Sequence, residues 1–132
     1  MINSNAYDYV NVLGKAADAS WTRNTLISNN IANNDTPNYK RQDIDFESCL
    51  SMALGTSSVS SGNLNSRVAS LNTDNLTANI YTDNAYLSYR MDGNNVDIDT
   101  ENSYLAQNQI KFNTLLDSIS QEFSRLKSVL QK

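Results

Sequence analysis

Between Thr100 and Lys132 the apolar residues recur at helical spacing. Leu105, Phe112, Ile119 and Leu126 fall seven apart, and a second row, Leu116, Phe123 and Leu130, lies four residues on from the first. Leu115 and Val129 widen the stripe, while Lys111, Asp117, Gln121, Arg125 and Lys127 lie mostly off it. No Gly or Pro interrupts the stretch, which predicts a helix over 100–132. At 1.5 Å per residue that helix is roughly 45 Å long. A chain of this size does not need so long a helix to cover its own core. The greasy face therefore needs a mate, inside the chain or outside it.

A second seam lies at the other end. Val10, Leu13, Ala17, Ser20, Ile27 and Ile31 follow a 3-4 spacing that predicts a helix over 5–33, with Asn24 as a polar interruption. Small residues (Ala16, Ala17, Ala19, Ser20) allow another backbone to approach closely, with Trp21 and Tyr9 as large anchors near the seam. The helix should end in Asn29-Asn30-Ile31-Ala32-Asn33-Asn34, because Asn tolerates a left-handed backbone and Pro37 cannot continue a helix.

The centre, 34–99, is polar and turn-rich. Ile44 and Phe46 alternate with Asp43, Asp45 and Glu47, which predicts an extended piece with one apolar face and a wet carboxylate side. Cys49 to Leu54 suggests one or two helical turns, and Gly55 to Gly62 a Ser-rich loop. From Tyr86 to Ile98 the alternation of Leu87, Tyr89 and Met91, the turn residues Asp92-Gly93-Asn94-Asn95, and then Val96 and Ile98 predict a β-hairpin. Asp97 would face solvent on its second strand. Asp99 or Thr100 would cap the last helix, with Glu101 in its first turn near the positive end of the helix dipole. The expected fold is mainly α. Two long terminal amphipathic helices pack coiled-coil-like, a small irregular centre contains a hairpin, and one domain spans 1–132.

Composition changes this picture little but excludes much. Of 132 residues, 39% are apolar and only 18% charged, with a mean hydropathy of -0.50. Asn, Ser and Thr fill the gap, which is not the high-charge signature of a disordered chain. The net charge is -4 and the basic residues are scattered, which argues against nucleic acid as a partner. No apolar run reaches the ~18–20 residues of a membrane span, so direct membrane insertion is not expected. The first residues lack the charged and apolar regions of a cleaved signal. Cys49 is alone and cannot form an internal disulfide.

Candidate chemistry is sparse. The chain has no His, which removes the commonest general base and most zinc sites. Its four Gly are dispersed and form no phosphate-binding loop. Cys49, beside Leu50, fits a packed thiol better than a nucleophile. Asp92, Asp97, Asp99 and Glu101 suggest a calcium loop, but Gly93 falls at its second position rather than the sixth, and no Glu follows at the twelfth. Seven Tyr against three Phe and one Trp suit interfaces, or half-buried cover for a thin core. Neither an enzyme nor a cofactor is expected.

Two stretches carry a family likeness. Ile31 to Arg41, with Ala32, Asn33, Thr36, Pro37, Asn38 and Tyr39 and then Asp45-Phe46, resembles the "ANxxTPGY" signature of bacterial flagellar axial proteins, the rod and hook components. Tyr89 to Asp97, including Asp92, Gly93, Asn94 and Val96, then Glu101, Leu105, Ala106, Asn108 and Gln109, is similar to the region before the C-terminal helix in the proximal rod members of that family. The family usually has Gly where this chain has Asn38. A positive φ is expected there, with Asn as the next-best residue.

The resemblance implies a structural subunit of the basal-body rod, exported by the flagellar type III apparatus without a cleaved signal. Its terminal helices would pack together and line a tube, and would be largely unfolded before assembly. The assembly interface would comprise Val10, Leu13, Ala17, Ile27 and Ile31, with Leu105, Phe112, Leu116, Ile119, Phe123, Leu126 and Leu130 opposite. Expected partners are copies of itself, other rod proteins, and the rod-base adaptor and export gate. Rival readings are another rod subunit, a soluble helical secretion chaperone or binding module and, remotely, a small hydrolase with paired carboxylates.

Overall fold

The computed structural model describes residues 5–56, 63–85 and 90–131. Two long helices dominate it, α1 (Asn5–Ala32) and α4 (Ile98–Leu130). Between them lie strand β1 (Gln42–Asp45), helices α2 (Glu47–Thr56) and α3 (Leu64–Ala69), a 3-10 turn at Thr73–Asn75, and strand β2 (Asn79–Thr82).

α1 and α4 pack antiparallel. The amide of Asn30, near the end of α1, reaches Glu101 in the first turn of α4. Further along, the Asn108 side chain donates to the Ser20 carbonyl at 2.8 Å, and the Trp21 and Phe112 rings lie 6.0 Å apart. Ala16, Ala17, Ala19 and Ser20 are all buried, and their small side chains are what let an Asn of α4 touch the backbone of α1. Trp21 stands off the seam, 62% exposed, with its ring tilted against that of Phe112.

The core sits on the α1 side of the sheet. Ala16, Ala19 and Leu26 meet Ile44 and Phe46 of the extended piece and Leu76 after the 3-10 turn, with Leu50, Leu71 and Leu115 packed around them. Fully burying Ile44 or Ile27 contributes roughly 1.5–3 kcal/mol each. This core draws on α1, β1 with the residues around it, the segment after α3 and the middle of α4.

The centre holds a two-stranded antiparallel sheet, but not between the expected strands. Gln42–Asp45 pairs with Asn79–Thr82, in register from Gln42↔Thr82 to Asp45↔Asn79. Among the described residues of the expected hairpin, the turn at Asp92-Gly93 is present and no strand follows it. Leu87 and Tyr89 lie outside the described residues, Val96 is buried in an irregular segment, and Ile98 opens α4. The alternation of Val96 and Ile98 reflects a helix entry, not a strand. Asp97, expected on a strand, is instead the cap: its carboxylate accepts from the Asp99 amide at 3.1 Å and the Thr100 hydroxyl at 2.9 Å. Those bonds, the Thr100 hydroxyl first, hold its carboxyl below the usual range despite some desolvation.

Candidate assembly site

The two motif stretches form one structural unit. After α1 the chain turns through Asn33 to Tyr39, and Asn38 takes φ 61°, the left-handed conformation expected where the family has Gly. Its N–H donates to the Asp92 carbonyl at 2.8 Å. Gly93 faces it at φ 74°, where an added Cβ would lie 2.7 Å from Asn38 Oδ1. Two left-handed residues, one from each motif, thus dock back to back.

Asn94 closes the join. Its amide nitrogen donates to the carbonyls of Asn33, Asn34 and Thr36 at 2.8–3.0 Å, and its oxygen accepts from the Val96 N–H at 2.7 Å. The last carbonyls of α1, at Asn29, Asn30 and Ile31, accept from the N–H groups of Asn33 and Asn34, and buried Asn94 ties down the turn that follows from some sixty residues away. Arg90 reinforces the join by donating to the Asn34 carbonyl at 2.7 Å and to Asp92 at 2.9 Å. The Arg90 bond holds the Asp92 carboxyl below the usual range against slight desolvation. Lys40 donates to the Gly93 carbonyl at 2.7 Å.

Beneath this clasp lies a buried charge. Glu101 is 1% exposed, with Arg41 Nε at 2.7 Å on one oxygen and Asn30 Nδ2 at 3.1 Å on the other. Asn30, itself 0% exposed, also bonds the N–H and carbonyl of Gln42 and the Tyr39 hydroxyl. All four of its hydrogen-bonding positions are thus filled. Arg41 pairs with Asp43 and Asp83 and lies 5.6 Å over the Tyr104 ring. Burial opposes its charge, but Glu101 and then Asp43 prevail and raise its pKa. The Tyr39 hydroxyl is pushed up by burial and by Glu101. Sequence reasoning placed Glu101 in the first turn as a dipole partner and missed this role. Asp43 was expected on the wet side but bridges Arg23 and Arg41. The missed signal was a lone Arg one turn past α1 with a Glu that α4 must turn inward.

A charged groove of about 380 Å³ lies between α1, β1 and α4. Its ions are mutually engaged: Arg23 holds Asp43 and Glu47, and Lys111 holds Glu47. Burial pushes the Glu47 carboxyl up, but Lys111 and then Arg23 outweigh it and bring it below its ordinary value. Among the described residues no three side chains gather as metal ligands. Asp92, Asp97 and Glu101 are occupied by Arg90, the α4 cap and Arg41.

The interface residues expected from the sequence divide by exposure. Ala17 and Ile27 are buried, and Val10, Leu13 and Ile31 half-buried. On α4 the first row, Leu105, Phe112, Ile119 and Leu126, is half-buried. The second row is open: Leu116 is 45% exposed, Phe123 53% and Leu130 78%, with Ile110 and Val129 also bare. Of the motif residues, Phe46, Asn94 and Val96 are buried, Tyr39, Asp92 and Gly93 half-buried, and Thr36, Pro37 and Asn38 form the exposed outer turn.

No family model matches the chain. It is similar to the flagellar basal body rod protein FlgB of Bacillus subtilis, 36% identical over 126 residues that cover 89% of each chain. It is also similar to the FlgB proteins of Yersinia ruckeri, 35% identical over 83% of this chain and 84% of that one, and of Escherichia coli, 32% identical over 83% of both. On these identities and coverages the chain belongs to the flagellar basal body rod protein FlgB family.

Proposed function

We infer that this chain is a structural subunit of the bacterial flagellar basal-body rod, with no catalytic role. One rod-subunit domain spans residues 1–132, and assembly runs through its terminal helices. The reading rests on one observation: the clasp and the first apolar row are satisfied within the chain, while the second row of α4 is left open in a family of rod proteins. Leu116, Phe123 and Leu130 then pack against neighbouring subunits, both copies of itself and other rod proteins. A head-to-tail contact that does not close on itself builds a tube rather than a dimer. The rod-base adaptor and export gate are its partners at the base. Among the described residues no helix is long and apolar enough to cross a membrane, in keeping with a subunit held by protein contacts.

Deleting the gene in its own bacterium should abolish motility and leave basal bodies without a rod. A plasmid copy should restore both. Assembled rods in the deletion strain would overturn the proposal. Circular dichroism of the purified subunit separates it from a self-contained chaperone. Helicity should rise further with concentration or with added rod proteins, as the open end of α4 finds neighbours, and helicity that neither changes would favour the chaperone.

A further inference from the structure

We propose that the buried Asn30–Arg41–Glu101 network, with Asn108 against Ser20, sets the register of the α1–α4 pair. A heptad row does not choose its own register. Glu101, Asn108, Leu115 and Glu122 fall seven apart on α4, as Asn30, Arg23, Ala16 and Tyr9 do on α1. Asn30 meets Glu101, Asn108 reaches Ser20, and Leu115, opposite Ala16 in the register these bonds define, packs against the core cluster to which Ala16 belongs.

Sliding α4 by seven residues, ~10.5 Å at 1.5 Å per residue, would again set an apolar row against an apolar row. One slide puts Glu101 opposite Arg23, a charge-compatible match. The opposite slide brings Asn108 to Asn30. Neither reproduces the native network, because Arg41 is tied to β1 and Asn30 is tied to Gln42 on both its N–H and its carbonyl. These anchors do not travel with α4, so only one position of α4 delivers a carboxylate to them. A single buried polar group fixes register in coiled coils by the same logic. The claim concerns the lone subunit. Only its consequence, where Leu116, Phe123 and Leu130 come to lie, rests on the assembly reading.

Disulfide trapping tests it in a Cys49→Ser background, since two Cys join only when their Cα atoms lie within about 7 Å. Ala16→Cys with Leu115→Cys reports the native register. Tyr9→Cys with Leu115→Cys, and Ala16→Cys with Glu122→Cys, report one heptad of slip in either direction. With the network intact, the slipped pairs should close to less than about a tenth of the native extent. Adding Asn30→Leu, Arg41→Met and Glu101→Leu removes the Asn30–Arg41–Glu101 network, while Asp43 keeps Arg23 as its partner and Asp83 is part-exposed. One slipped pair should then rise at least about five-fold while the helical signal persists. An unchanged trapping pattern in the folded triple variant would overturn the proposal. Loss of the helical signal would overturn it too, since the network would then hold the fold rather than select the register. Glu101→Gln, which keeps an acceptor for Arg41, should retain the native pattern, and slip in that variant would also count against the proposal.

Discussion

The two ends of α4 obey different physics. At its start Glu101, Asn94 and Asn95 are buried polar groups whose partners come from α1, the turn between α1 and β1, and the segment after β2. At its far end Phe123, Val129 and Leu130 are apolar groups left in solvent. An interior that solves its packing with hydrogen bonds accepts few geometries, whereas an apolar row accepts many partners. Polar burial therefore defines the subunit at one pole, and the other pole keeps its hydrophobic free energy for neighbours.

The sharpest way to break this contrast is to put a charge on each row. Phe123→Asp should leave the isolated subunit's stability within about 0.5 kcal/mol, as for an open site, yet abolish swarming and rod formation. Ile119→Asp, on the half-buried row, should cost the subunit about 1–3 kcal/mol by urea unfolding as well as assembly. Equal destabilisation by the two variants would erase the distinction between the rows. At the clasp pole, Glu101→Leu leaves the Arg41 guanidinium and the Asn30 amide without their buried partner. Denaturation should then show a loss of about 3–5 kcal/mol. Gly93→Ala should cost about 1–2 kcal/mol for the left-handed backbone, with added strain where the new methyl meets Asn38. Asn38→Gly should be near neutral in stability and motility, because the turn keeps its conformation.

The smallest effect expected is a pH dependence. The Glu47 carboxyl is depressed in the fold, so its link to Lys111 and Arg23 contributes above its ordinary value of 4.5. That contribution fades as pH falls through the lower folded value. Stability curves of wild type and Glu47→Gln should differ slightly at neutral pH and converge in acid. Divergence in acid would mean that the groove ions act differently from this account.

The helices were legible because their periodicity is long and uninterrupted. Both were placed to within two residues at each end, and the positive φ of Asn38 followed from the residue types a left-handed turn admits. The strand partner was not legible. Asn79–Thr82 carries too few apolar residues to signal a strand, and its pairing with β1 spans a stretch with no local turn signal. Val96 and Ile98 misled for the opposite reason, since two apolar residues two apart are equally compatible with a buried turn running into a helix. The clasp escaped because a network assembled from residues 30, 41 and 101 has no periodicity. Only tertiary structure brings an Arg from the end of one motif to a Glu just past the other.

Because Asp45 lies beside Asn79, the polypeptide departs from the sheet and comes back to it at the same spot. Everything between those two residues is a loop in the topological sense, pinned at its root. Lengthening or shortening it away from Leu50, Val68 and Leu76, which it lends to the interior, leaves the spacing of the long helices untouched. Size variation among relatives can thus accumulate here while the outer dimensions of the building block stay constant.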